Sequence, residues 1–301
     1  MNPMQYAYLA IDENGYGPLM GPLLATGILA TADVDSGWDG FIADSKRFFS
    51  RTSSGFARLE ESALALFHLV HGFYPSSVDA LLSSSGDFLC SKPSSSCYGS
   101  LPQIFSYGRR EKAESKREEL AFFCRQHGIR LLGIRVAVVC PDQFNRFFNE
   151  SERRKDYLNF LQFAENIHWA LEKSSSLSVA AGKIGSRAKY DSFFRDSFTD
   201  WTLGTFSHAS DSSVYNLSFG GRECRIAFLK NLEERSFLGV CCGIYGKYIR
   251  ETIMTSINRF CGFSNGNEIS GYRDARTKTF QNNSNSYISS EERKNCLFRC
   301  R

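Results

Sequence analysis

Two apolar runs near the start of the chain, Tyr6 to Ile11 and Leu23 to Ala30, are separated by Asp12-Glu13-Asn14-Gly15-Tyr16-Gly17-Pro18-Leu19-Met20-Gly21-Pro22. Runs of this apolar density read as buried strands, and the glycines and prolines between them force a tight turn, so a hairpin is predicted whose backbone can approach a ligand closely. Asp12 and Glu13 stand at the end of the first strand. Consecutive strand side chains point to opposite faces, so the pair shares one ligand only if the strand ends or bulges there, and the turn is expected to supply that ending. The competing reading is a plain surface turn, because Asp, Gly and Pro are the commonest turn residues.

Downstream, Phe56 to Phe73 carries Leu59, Ala63, Leu66, Phe67 and Val70 at helical spacing. Residues 83–106 are rich in Ser, Gly and Pro and read as a loop or insertion, whereas Lys112 to Glu119 reads as a solvated helix face. Ile129 to Val139 has the pattern of a strand, Phe144 to Leu171 that of one long amphipathic helix, and Leu177 to Ala181 that of a short strand. A helix over Arg187–Phe198 and a strand pair around Gly220-Gly221 follow, and Ser236 to Phe260 forms a last long helix. Strands first and alternating helices later predict a mixed sheet flanked by helices, the α/β class. Residues 1–262 are expected to form one domain, and 263–301, rich in Asn, Ser and charge, a partly ordered extension.

The hydrophobic fraction of 42% supports a substantial core, and a net charge of +4 is too mild to argue for nucleic acid by itself. No apolar stretch of about 18 residues and no export-type leader stands out, so a soluble, cytoplasmic, monomeric protein away from membranes is expected. Ten dispersed cysteines without a C-x-x-C pair point to reduced thiols rather than disulfides or a structural zinc.

Beyond composition, the opening segment resembles that of the ribonuclease HII (type 2 ribonuclease H) family, in which an Asp-Glu pair ends the first strand and a glycine-rich turn follows. Asp12 and Glu13 match the acids and Gly15-Tyr16-Gly17 the turn, in the manner of a subgroup with a DExGYGP opening; the middle position, commonly Arg or Lys in the family, is Tyr16. Asp44-Ser45-Lys46 matches the segment after the second strand, although Asp44 or Ser45 also suits a helix cap. In Val179 to Tyr190 the positions Lys183, Gly185, Arg187 and Tyr190 match, but Gly182 stands where the family has its third acid. Counting back fourteen positions from Lys247, the family's helix lysine, reaches Glu233 as the fourth acid, and Tyr272 matches the tyrosine of the family's Gly-Tyr motif.

The resemblance implies a ribonuclease H-like fold with a five-stranded mixed sheet and a helical C-terminal part. It also implies a metal-dependent endonuclease acting on RNA–DNA hybrids or embedded ribonucleotides. Asp12, Glu13 and Glu233 would hold Mg²⁺ or Mn²⁺, and Gly15, Tyr16, Gly17, Ser45, Lys46, Lys183, Arg187, Lys247 and Tyr272 would meet substrate. Hydrolysis by paired cations needs several converging carboxylates, so Gly182 predicts impaired cleavage. Two alternatives stand beside it: a non-catalytic hybrid-binding relative, and a sugar- or nucleotide-phosphate enzyme whose turn cradles phosphate.

Overall fold

The computed structural model describes residues 6–32, 53–86, 88–89, 98–264, 266–284, 288 and 291–300. Ser45 and Lys46 lie outside the described residues. In chain order the elements are β1 (Tyr6–Asn14), β2 (Leu23–Ala32), α1 (Ser53–His71), α2 (Val78–Ser85), β3 (Phe88–Leu89), α3 (Arg110–Gln126), β4 (Ile129–Val139), α4 (Pro141–Glu150) and α5 (Lys155–Leu171). They continue as β5 (Ser176–Gly182), α6 (Asp191–Ser197), β6 (Thr202–His208), β7 (Ser212–Phe219), β8 (Arg222–Leu229), a 3₁₀ turn (Leu232–Glu234), α7 (Phe237–Phe260), α8 (Ala275–Asn282) and α9 (Glu291–Leu297).

One eight-stranded sheet runs β3-β4-β2-β1-β5-β8-β7-β6. Its middle is mixed: β1 is antiparallel to β2 and parallel to β5, and β5 is parallel to β8. The expected five strands are thus exceeded. The two-residue β3 adds one edge, while β7 and β6 extend the other by antiparallel pairing beyond β8. Thr202–His208 gave no strand signal in the sequence because it lies on that open edge and is exposed along nearly its whole length, so no buried face imposes an apolar alternation. Gly220 and Gly221 both adopt positive φ, 55° and 78°, as a two-residue hairpin turn requires.

Each face of the sheet is covered. Ala10, Leu24 and Ile28 point to a core shared with α1 and α7, and Leu9, Ile11, Ala25 and Leu29 to a core shared with α5 and α6. The predicted helical region over Phe144–Leu171 consists of two helices. α4 ends at Ser151, which is extended (ψ 145°), so that α5 lies across β2, β4, β1 and β5 while α4 packs against α9. The helix predicted over Arg187–Phe198 begins only at Asp191, since Arg187–Tyr190 are irregular and tied to their neighbours through Tyr190.

Within 83–106, Ser83–Ser85 complete α2 and Tyr98 is buried in the core. From the segment after 263, Phe280, Ile288, Leu297 and Phe298 join the same core as α1 and α7. Among the described residues no helix is long and apolar enough to cross a membrane.

Candidate functional site

The first strand does not stop at its acids. β1 stays in regular register through Asp12↔Thr26, Glu13↔Ala25 and Asn14↔Leu24, with no bulge. The expected strand end is displaced to Asn14, and strand alternation therefore sends Asp12 toward α7 and Glu13 toward the opposite side.

Asp12 lies against glycines. A β-carbon on Gly182 would sit 2.6 Å from Asp12 Oδ1, and one on Gly243 3.6 Å from Oδ2. The first of these is inside van der Waals contact, so the Asp12 carboxylate fills part of the space a third acid would need. Gly246 brings α7 down on β1 in the same way, since a β-carbon there would collide with Asn14 Oδ1 and Thr26 Oγ1. Burial, then the negative charge of Glu13 and, more weakly, that of Glu233, hold the Asp12 carboxyl well above the usual range against a hydrogen bond from the Glu13 amide. Glu233 occupies the 3₁₀ turn ahead of α7, entered through Asn231 at φ 53°, and Gly239 lets that turn fold back on the helix because a β-carbon there would strike Leu232.

Glu13 has different company. Burial raises its pKa, opposed by the Tyr16 amide, which donates to the carboxylate, and by the charges of Lys155, Arg299 and Arg250. Its Oε2 is buried without a hydrogen-bond partner. Lys155, at the start of α5, places Nζ 4.3 Å from the centre of the Tyr16 ring. Burial, then the nearby charges of Arg299 and Arg273, push the Lys155 amine down to about 8. A cation is thus brought to the middle of the turn from another element. The Tyr16 ring also lies 3.4 Å from the β-carbon position of Gly185, itself at φ 56°, which joins the glycine turn to the segment after β5.

The last motif is carried directly onto the turn. Gly271 O accepts hydrogen bonds from Leu19 N at 2.8 Å and Met20 N at 3.1 Å. Next to it, Tyr272 is 38% exposed, and the Arg250 guanidinium lies 4.7 Å from its ring centre. Arg250 also donates to Ser270 O at 3.3 Å and pairs with Glu251 at 2.7 Å. The result is an exposed tyrosine edge beside a glycine turn, underlaid by cations, which suits a sugar-phosphate backbone with a stacked base or sugar.

Lys183 donates to Ser210 O at 3.2 Å, and Arg187 pairs with Asp156 at 2.6 Å over the Phe193 ring. Lys247 is half-buried on α7 beside Gly246. Among the described residues, no three or more acidic, histidine or cysteine side chains converge as a metal cage. Asp12 feels the charges of Glu13 and Glu233, but Glu13 is ringed by cations and Gly182 adds no carboxylate, so these residues do not fit the multi-carboxylate donor set that paired hard cations require. Lys155 and Arg299 gave no signal in the sequence: the first sits in a mixed charge run, the second in the final residues.

No family model and no curated protein sequence matches the chain. Solved structures similar to it include the ribonuclease HII of Archaeoglobus fulgidus in its complex with PCNA, 17% identical over 98% of this chain and 94% of that one, at a TM-score of 0.43. Others are the ribonuclease H2 of Pyrococcus horikoshii OT3, at 15% identity over 94% and 89% with a TM-score of 0.42, and Bst-RNase HIII in complex with Mn²⁺, at 11% over 99% and 68% with 0.46.

Proposed function

We propose that the chain binds RNA–DNA hybrids, or DNA with embedded ribonucleotides, through its glycine turn and Tyr272, and that its phosphodiester cleavage is impaired. One observation carries the reading: Asp12 is packed against Gly182 while Glu13 faces Lys155, Arg250 and Arg299. The ordered motifs around the turn support the binding half, since Gly15–Gly17, Gly271–Tyr272 and the Arg250 turn of α7 meet in space although they are far apart in sequence. Gly182 beside Asp12, with Glu13 ringed by cations, supports the impairment, because the cations that would activate an attacking water and stabilise a leaving oxygen need several converging carboxylates to hold them. In this reading Lys155 and the exposed Gly17 amide hold backbone, Tyr272 stacks on a base or sugar, and Asp12 and Glu233 retain at most a weakened hold on Mg²⁺ or Mn²⁺.

The second reading, a working endonuclease of the ribonuclease H type, is favoured by the Glu233 charge felt at Asp12. One experiment divides the two. Binding and cleavage of a duplex carrying a single ribonucleotide are measured in Mg²⁺ and in Mn²⁺ for the native chain, Asp12→Asn and Gly182→Asp. Tight binding with little or no cleavage by the native chain, and cleavage gained in Gly182→Asp, is the expected outcome. Native cleavage abolished by Asp12→Asn would establish the second reading, and absence of hybrid binding would overturn both.

A further inference from the structure

Arg299, third from the end of the chain, is only 1% exposed. Its Nε donates to Gly21 O at 2.8 Å and its Nη1 to Gly15 O at 2.5 Å. The backbone around it is tied to the same turn: Arg299 N donates to Leu19 O at 2.8 Å and Gly21 N to Leu297 O at 3.1 Å. Asn145 on α4 holds the segment from outside, donating to Phe298 O at 2.9 Å and accepting from Cys300 N at 2.8 Å. A buried guanidinium is expensive unless charge or hydrogen bonds compensate it, and Arg299 has no ion pair with a carboxylate among the described residues, while its Nη2 is buried without a partner. If the C-terminal segment merely filled space, an apolar side chain would do so at lower cost.

What the guanidinium uniquely does is hold two carbonyls of one turn. Gly15 and Gly21 both lie in the left-handed region, φ 93° and 77°, so their peptide planes are set by what their carbonyls meet. In a trans peptide the carbonyl and the following amide point opposite ways. Turning Gly15 O toward Arg299 therefore turns the Tyr16 amide the other way, and that amide donates to Glu13.

We infer that Arg299 is a positioning residue for the substrate turn, through which the C-terminal segment orients the turn backbone and the Glu13 carboxylate. The inference rests on the reading of that turn as the nucleic-acid contact. Its test has one arm that needs no nucleic acid. Amide hydrogen exchange of Tyr16, Leu19 and Met20 is followed in the free native chain, Arg299→Met, Arg299→Lys and Asn145→Ala, with Ala25 to Leu29 of β2 as the reference for global stability.

Arg299→Met is expected to accelerate the turn amides about tenfold or more while β2 is unchanged, the loss expected for charge-assisted hydrogen bonds. Arg299→Lys recovers part of the protection. Asn145→Ala, which loosens the segment without touching the guanidinium, moves the turn in the same direction and serves if Arg299→Met does not fold. In the second arm, the ratio of affinities for a duplex with one ribonucleotide and for all-DNA duplex falls in Arg299→Met and is partly restored in Arg299→Lys. Unchanged turn exchange in Arg299→Met, or equal acceleration of turn and β2, overturns the inference. If the native chain binds neither duplex, the functional reading fails and the exchange arm alone judges the clamp.

Discussion

Replacing Gly182 with Asp tests the site most directly, because the new group meets Asp12 before it meets anything else. Its β-carbon would stand 2.6 Å from Asp12 Oδ1, so the Asp12 carboxylate must swing away, toward Gly243 and the Glu233 turn. The backbone does not oppose the change, since Gly182 lies in a regular strand without positive φ, where a side chain gains about 0.5–1 kcal/mol over glycine. Charge opposes it. Two carboxylates about 4 Å apart repel by roughly 4 kcal/mol at an effective dielectric constant near 20. Proton uptake relieves part of this, leaving a net loss of about 2 kcal/mol near neutral pH without divalent cations.

Gly182→Ala separates the steric part from the charge. Urea unfolding in EDTA at pH 5 and pH 8 should show Gly182→Asp destabilised mainly at the higher pH and Gly182→Ala nearly independent of pH. Millimolar Mn²⁺ should then restore Gly182→Asp selectively, because a cation between the carboxylates turns repulsion into coordination. Equal stability of Asp and Ala variants at both pH values, with no response to Mn²⁺, would refute the placement of Asp12 against Gly182.

Asp12 is itself held above its usual pKa by burial and by like charge, so it favours the folded state fully only below about pH 4, and that contribution is lost as pH rises through its folded pKa. Asp12→Asn should therefore stabilise the metal-free chain at pH 7–8 and have no such effect near pH 3, as read by denaturant titration. Lys155→Gln should weaken binding of hybrids of any sequence and reduce the slope of log affinity against log salt by about 1, since it removes one backbone cation. Tyr272→Ala should cost about 1–3 kcal/mol of hybrid binding if the exposed ring stacks on a nucleotide, and little stability in the free chain. Gly246→Ala should destabilise by roughly 1–3 kcal/mol in thermal or urea unfolding, because a methyl there meets Asn14 and Thr26 rather than open space.

The centre of the fold was readable from the sequence because its strands are buried on both faces or bounded by glycines. β2 is buried along nearly its whole length, β4 matches its predicted span residue for residue, and the Gly220-Gly221 hairpin declares its own turn. The edges were less readable. β6 has no buried face to pattern it, and the break between α4 and α5 carries neither glycine nor proline; the charged stretch Glu152-Arg153-Arg154 looks the same on a helix surface as in a loop.

The acid pair shows why a motif can be legible while its chemistry is not. Asp12-Glu13 was visible as two adjacent carboxylates before a turn, but whether they converge depends on where the strand ends, and that is decided by the partner strand. β2 pairs without a bulge as far as Asn14, so alternation persists one residue past Glu13 and parts the two side chains. Once parted, each takes the neighbours its face offers. On one side Asp12 lies against Gly182 and Gly243, with the Glu233 charge felt from the turn ahead of α7. On the other, cations brought from α5, α7 and the C-terminus surround Glu13. None of those neighbours is within 100 residues of the pair in the chain, and no local pattern marks Lys155 or Arg299, so position in the sheet, rather than the motif, decides what the acids at this turn can do.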